Sequence, residues 1–163
     1  MLKYYFMTLS ACILFSTSMA QRRQQATLNV LGTTPLIGLK YDTRIFKEQN
    51  DGFGVNAGLG SIDMIDDSDH KVSVVLGTNY LFGKGQHQFL LGANVAFVFS
   101  RIYPLDAEPI NTTRTIFIPD IGYRFSPRTK GFTGQITWNP LRSNLDREAA
   151  YQYFGIGIGY SWK

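Results

Sequence analysis

A single cysteine, Cys12, stands in the whole chain, so neither a disulfide framework nor a cysteine-ligated zinc site can be built. Charge is scarce as well. Asp, Glu, Lys and Arg make up 17% of the residues, and the net charge of +4 is scattered without any five-residue run of Lys and Arg. Such a surface cannot track a phosphate backbone, and no nucleic-acid partner is expected. No run of about 20 apolar residues is present to cross a bilayer as a helix, and no long segment repeats apolar residues at helical spacing. The phosphate-binding loop, the nucleophile elbow and the zinc-protease helix motif are all missing. No catalytic, cofactor or metal site is therefore expected.

What the chain does have is apolar residues at 44%, with 16 Gly, 12 Phe and 9 Tyr in 163 residues. That content excludes a disordered tail, and the length suits one domain. Residues 1–20 read as a signal peptide: Lys3 supplies the positive start, residues 4–15 are largely apolar, and Ser18-Met19-Ala20 offers a small-x-small cleavage pattern. Leu9-Ser10-Ala11-Cys12 also resembles a lipobox, but the apolar run continues past Cys12 through Ile13-Leu14-Phe15. The reading preferred is cleavage after Ala20, leaving residues 21–163 as the folded domain.

That domain alternates with period two, again and again. Residues 36–45, 52–61, 72–82, 87–99, 115–125, 132–140 and 153–162 each set apolar positions against glycine or polar ones. Segments of about ten such residues are the length that crosses a bilayer as a tilted strand. Connections alternate in length: 47–51, 83–86 and 126–131 are short and turn-like, whereas 63–70, 101–112 and 142–150 are longer. An exported chain starts in the periplasm, and the 36–45 strand descends into a short turn, so one further strand must climb before it. Residues 27–31 are the only segment that can serve. Eight strands result, an even number, with the short turns at the periplasmic end.

Alternation alone suits a soluble lipocalin-like carrier too, so the chemistry of the two faces has to decide. The less apolar face is rich in glycine and adds Lys40, Asp42, Arg44, Asp120 and Arg124. It is too small to face bulk water and too charged to hold an apolar ligand. It fits the cramped lumen of an eight-stranded barrel, where those five charges form a packed ion-pair network. On the apolar face, Phe53, Tyr80, Phe82, Phe89, Tyr123, Phe125, Phe132, Tyr160 and Trp162 all fall beside a short turn or the end of the sequence. Aromatics at one level on many strands make a membrane-interface girdle. Phe97, Phe99 and Trp138 would supply a thinner one at the other end.

With segments such as Asn79-Tyr80-Leu81-Phe82-Gly83-Lys84-Gly85 and Gly122-Tyr123-Arg124-Phe125, the chain resembles the small bacterial outer-membrane β-barrels of the outer-membrane-protein-A transmembrane-domain type. The likeness extends over residues 26–163. It implies an all-β fold, an eight-stranded antiparallel up-and-down transmembrane barrel set in outer-membrane lipid. Gly155-Ile156-Gly157-Ile158-Gly159-Tyr160-Ser161-Trp162-Lys163 is similar to the C-terminal signal read by the barrel-assembly machinery, although it ends in Trp-Lys where Phe is common. No peptidoglycan-binding domain is expected after Trp162.

Two loop features bear on function. Asp63, Asp66, Asp67 and Asp69 with His70 gather oxygen ligands of the kind calcium takes, but without the glycine and distal glutamate of an EF-hand. Ser68, His70 and Asp67 also contain the residue types of an acyl-transfer site, without the base–nucleophile geometry such chemistry needs. The expectation is a non-enzymatic surface protein with no open pore, whose long loops meet an extracellular partner. A lipid-modifying enzyme is the alternative in another class, the lipocalin-like carrier a third.

Overall fold

The computed structural model describes residues 22–34, 37–46, 50–61, 69–102, 108–140 and 154–163; residues 1–20, expected to be a signal peptide, lie outside them with Cys12. Eight strands follow one another: β1 Gln24–Leu31, β2 Ile37–Arg44, β3 Gly52–Ser61, β4 Asp69–Phe82, β5 His87–Ile102, β6 Ile110–Phe125, β7 Gly131–Trp138 and β8 Phe154–Trp162. Each pairs antiparallel with the next, and β1 pairs with β8, closing the barrel. A closed sheet leaves few unpaired backbone groups, which is the condition for strands to enter lipid.

The strand expected from the weakest pattern, β1, is hydrogen-bonded on both sides and starts three residues before the alternation at 27–31 becomes visible. Gln25, Thr27 and Asn29 point inward and are buried, while Leu28 and Val30 face outward. Leu31 closes the strand in the left-handed region at φ 64°, followed by Gly32 at 75°. A Cβ on Gly32 would lie 2.9 Å from Gly155 Cα, so the turn needs glycine there for space as well as for torsion.

β4, β5 and β6 are longer than the sequence pattern predicts. The connection expected at 101–112 shrinks to residues 103–109, because β5 runs to Ile102 and β6 starts at Ile110. Residues Ile110–Thr115 are exposed in an unbroken row. Both faces of the strand are exposed there, so the period-two signature disappears while the ladder continues. β7 stops at Trp138, two residues short of the expected end. Pro140 lacks the amide that a longer ladder would need, and Asn139 turns its side chain into the barrel instead.

Apolar side chains cover the outside: Leu39, Leu59, Ile156 and Ile158 are each about 60% exposed. The apolar faces thus point away from the lumen, opposite to a lipocalin. Inside, the expected glycine-and-charge lining fills only part of the height. On the β4–β6 wall toward the long-connection end, Val75, Ala96, Val98, Ile116 and Ile118 form a buried apolar cluster.

Candidate functional site

Asp42 and Arg44 are two residues apart on β2, so both project into the lumen. Arg44 bonds Asp42 Oδ1 and Asn79 Oδ1 through Nη2, and donates from Nη1 to Gly52 O at 2.9 Å. Asn79 Nδ2 donates to Asp42 Oδ2. From the opposite wall, Arg124 Nη1 and Nη2 each reach Asp42 Oδ2 at 3.3 Å. Arg124 also donates to Gln135 Oε1 from Nε at 3.2 Å and Nη2 at 3.0 Å. Gln135 Nε2 in turn donates to Asn29 Oδ1 at 2.9 Å. One carboxylate thus ties β2, β4, β6 and, through the amides, β7 and β1. The Arg44 guanidinium lies directly over Gly54, where any Cβ would collide with it.

Lys40 and Asp120 form a second, separate group nearer mid-height. Lys40 Nζ is 3.6 Å from Asp120 Oδ2 and 3.5 Å from Asn94 Oδ1. Asn94 Nδ2 donates to Asp120 Oδ2 at 2.8 Å, and Asn139 Nδ2 donates to Asp120 Oδ1. All five sequence-predicted interior charges are 4% exposed or less. The structure divides them into two storeys, and supplies Asn79, Asn94, Gln135 and Asn139 as the amides that complete each one.

A sixth interior charge, Arg23, is not among the five that the alternating pattern singles out. Arg23 is buried and donates to Asn50 Oδ1 at 2.8 Å, Ser161 Oγ at 3.0 Å, Arg128 O at 3.3 Å and Pro127 O. Its signal was parity: 23 continues backward the inward series 25, 27 and 29. Burial, and then repulsion from Arg124 and Arg44, lower its pKa from the usual arginine value. A small recess, with room for about one water, opens here at the short-turn end, lined among others by Arg23, Asp42, Arg44, Asn50, Arg124 and Ser126. Its charged lining is three guanidiniums against one carboxylate. Guanidinium stays protonated at all ordinary pH and cannot serve as a general base, so this group binds and braces.

On the outside, Phe53, Phe82, Phe89, Tyr123, Phe132 and Tyr160 are exposed, and Tyr80, Phe125 and Trp162 half-buried, all at the short-turn end. Phe53 packs edge-on against Tyr80 with centroids 4.8 Å apart, Tyr80 against Phe82 at 4.4 Å, and Phe82 against Phe89 at 6.0 Å. Phe132 meets Tyr160 edge-on at 6.0 Å. Tyr41, not singled out in the sequence, joins this level by packing on Trp162 at 6.3 Å. Tyr41 stands opposite Ala26 and Trp162 opposite Gln24, so the two rings meet on the diagonal across β1. Trp162 Nε1 donates to Gln24 Oε1 at 3.0 Å.

His87 hydrogen-bonds Tyr123 OH through Nδ1. The register explains this: His87 pairs with Phe125, which puts Tyr123 on the same outer face one step along the strand. Of the acidic loop, Asp63, Asp66, Asp67 and Ser68 lie outside the described residues. Asp69 and His70 belong to β4, opposite Ile102 and Arg101. Among the described residues no group of three His, Cys, Asp or Glu could hold a metal ion.

No protein-family model and no curated protein matches the sequence. Among solved structures, the N-terminal β-barrel domain of Pseudomonas aeruginosa OprF is similar, with a TM-score of 0.57 at 11% sequence identity, over 86% of this chain and 96% of that one. Identity that low speaks to fold alone. The chain has the fold of an eight-stranded antiparallel up-and-down transmembrane β-barrel.

Proposed function

We propose that the protein is an integral outer-membrane barrel with a structural or surface-interaction role, exported by cleavage of its signal peptide and inserted by the barrel-assembly machinery. In this reading the short turns lie in the periplasm, the long connections present the protein to an extracellular partner, and the lumen carries no open pore. The observation that carries it is the inversion of faces: large apolar side chains ring the outside, while six ionic side chains and their amide partners are sealed within. Buried charges of this number are stable only when paired and hydrogen-bonded, and exposed apolar residues on every strand need lipid to cover them. The paired charges and the apolar cluster across the lumen support the absence of a continuous channel, as eight strands leave little room for one. The proposed role is non-enzymatic: among the described residues the lumen holds guanidinium, ammonium, carboxylate, amide and hydroxyl groups that bond one another.

Gel mobility of the outer-membrane fraction, with and without boiling in detergent, tests this directly. A boiling-dependent shift of the protein in that fraction is expected. Recovery as a soluble periplasmic species without a shift would overturn it. Deleting residues 27–31 should abolish insertion, because β1 supplies the pairing edge to both β2 and β8.

A further inference from the structure

The two ends of the barrel differ in charge. Among the described residues, the outer rim of the short-turn end carries Arg22, Lys84, Arg128, Lys130 and Lys163 against the single side-chain carboxylate Asp51. The sequence of the long connections is the reverse, with Asp63, Asp66, Asp67, Asp106, Glu108, Asp146 and Glu148 against Arg142 and Arg147. The cations are also clustered around the perimeter. Gln24 pairs with Trp162 and Gly131 with Ser161, so the start of β1, the end of β8 and the β6–β7 turn are adjacent. Arg23 fastens them further by donating to the carbonyls of Pro127 and Arg128. Arg22, Arg128, Lys130 and Lys163 therefore share one arc of the rim.

None of these four side chains enters an ion pair among the described residues; Arg128, Lys130 and Lys163 are exposed, and Arg22 Nε is buried without a hydrogen-bond partner. The arc sits immediately beyond exposed aromatics: Lys130 is two residues from Phe132, which is 83% exposed, and Lys163 follows Trp162. Aromatic side chains of this kind mark the headgroup boundary. Unpaired cations one step outside that boundary stand at the level of lipid phosphate, where each Lys or Arg attracts anionic headgroups.

We infer that Arg22, Arg128, Lys130 and Lys163 form a docking arc for anionic phospholipid headgroups of the leaflet at the short-turn end. The inference rests on the membrane-barrel reading and adds a lipid preference to it. A cell-wall polymer could also offer carboxylates, but it would have no reason to select cations placed against the lipid-facing aromatics.

The test uses the full chain, without its signal segment, refolded in phosphatidylcholine vesicles. The boiling-dependent gel shift is read first, so failure to insert counts against the barrel reading and not against the arc. The sequence has two tryptophans, and Trp162 lies at the arc while Trp138 lies at the other end. In W138F, Trp162 emission is titrated with brominated phosphatidylglycerol and, separately, brominated phosphatidylcholine. A preference on the order of tenfold for the anionic lipid at low salt is expected, by the attraction of several cations. It should collapse in 1 M salt, where the screening length falls to about 3 Å. R22Q/R128Q/K130Q should remove most of it, and R101Q/R114Q at the far end should not. If the triple variant fails to fold, the salt titration of W138F alone decides. Equal quenching by the two lipids would overturn the inference. So would loss, in the triple variant, of binding to purified peptidoglycan without any lipid preference in W138F.

Discussion

Two parts of the same narrow lumen are filled by opposite chemistry. Toward the short turns, Asp42 is held by Arg44, Asn79 and Arg124 in a network where every member depends on another. Toward the long connections, on the β4–β6 wall, Val75, Ala96, Val98, Ile116 and Ile118 need no partner beyond close packing. A truncation in the apolar half costs the packing it removes and the cavity it leaves. In the ionic half a missing partner leaves an uncompensated charge in a medium of low polarity. Having both in one barrel separates two tasks: packing closes the lumen, and the ionic network fixes which strands face each other.

The largest expected effect follows from breaking the ionic half. Asp42→Asn leaves Arg44 and Arg124 facing each other with no charge between them. It should cost about 3–5 kcal/mol, read as a lowered urea midpoint for the barrel refolded in lipid vesicles. Ile118→Ala, in the apolar half, should cost about 3 kcal/mol through the cavity it leaves. If Ile118→Ala proved the more damaging, packing would govern the whole lumen and the contrast between halves would fail. The mid-height storey tests whether charge itself is needed. Replacing both partners at once, Lys40→Met with Asp120→Asn, should change stability by about 1 kcal/mol or less, because no charge is left unpaired. Smallest of all is the response to salt. Raising ionic strength from 0.1 to 1 M should shift the unfolding free energy by no more than about 0.5 kcal/mol, since buried pairs are only weakly screened. A large salt response would mean that water reaches Asp42.

Most of the barrel was legible because lipid imposes period two on both faces within the membrane. Phe89, Leu91 and Val95 alternate with Leu90, Gly92 and Asn94 for that reason, and the parity of the connections then required β1. Legibility ended where the two faces of a strand stop differing. Ile110–Thr115 carry no alternation because both of their faces are exposed, and residues 23–26 show none because the positions flanking the buried Arg23 and Gln25 are polar or small. The interior charges could be placed by parity, and the structure puts all five inside. Their division into two storeys could not be foreseen, as it depends on register across strands: Asn94 opposite Gly77 on β4 and Ile118 on β6 is invisible in a linear reading. The amides suffered the same fate. Asn79 and Gln135 were on the inward face, but only the three-dimensional pairing reveals which charge each one serves.

The pairing between β6 and β7 bears on where the cylinder would part. It runs only from Ile121 opposite Trp138 to Phe125 opposite Gly134, whereas β1 and β8 are joined from Gln24 to Leu31. The junction of first and last strands, the one a linear chain must make by folding back on itself, is therefore longer than a junction between neighbours in sequence. Opening is easiest where the fewest bonds must break together, which points to β6 and β7. Arg124 and Gln135 face each other directly across that short ladder, and Pro119, without an amide to offer, sits on β6 just beyond it. The Arg124–Gln135 bonds, anchored through Asp42 to the far wall, act as a side-chain clasp over the stretch where the backbone holds least.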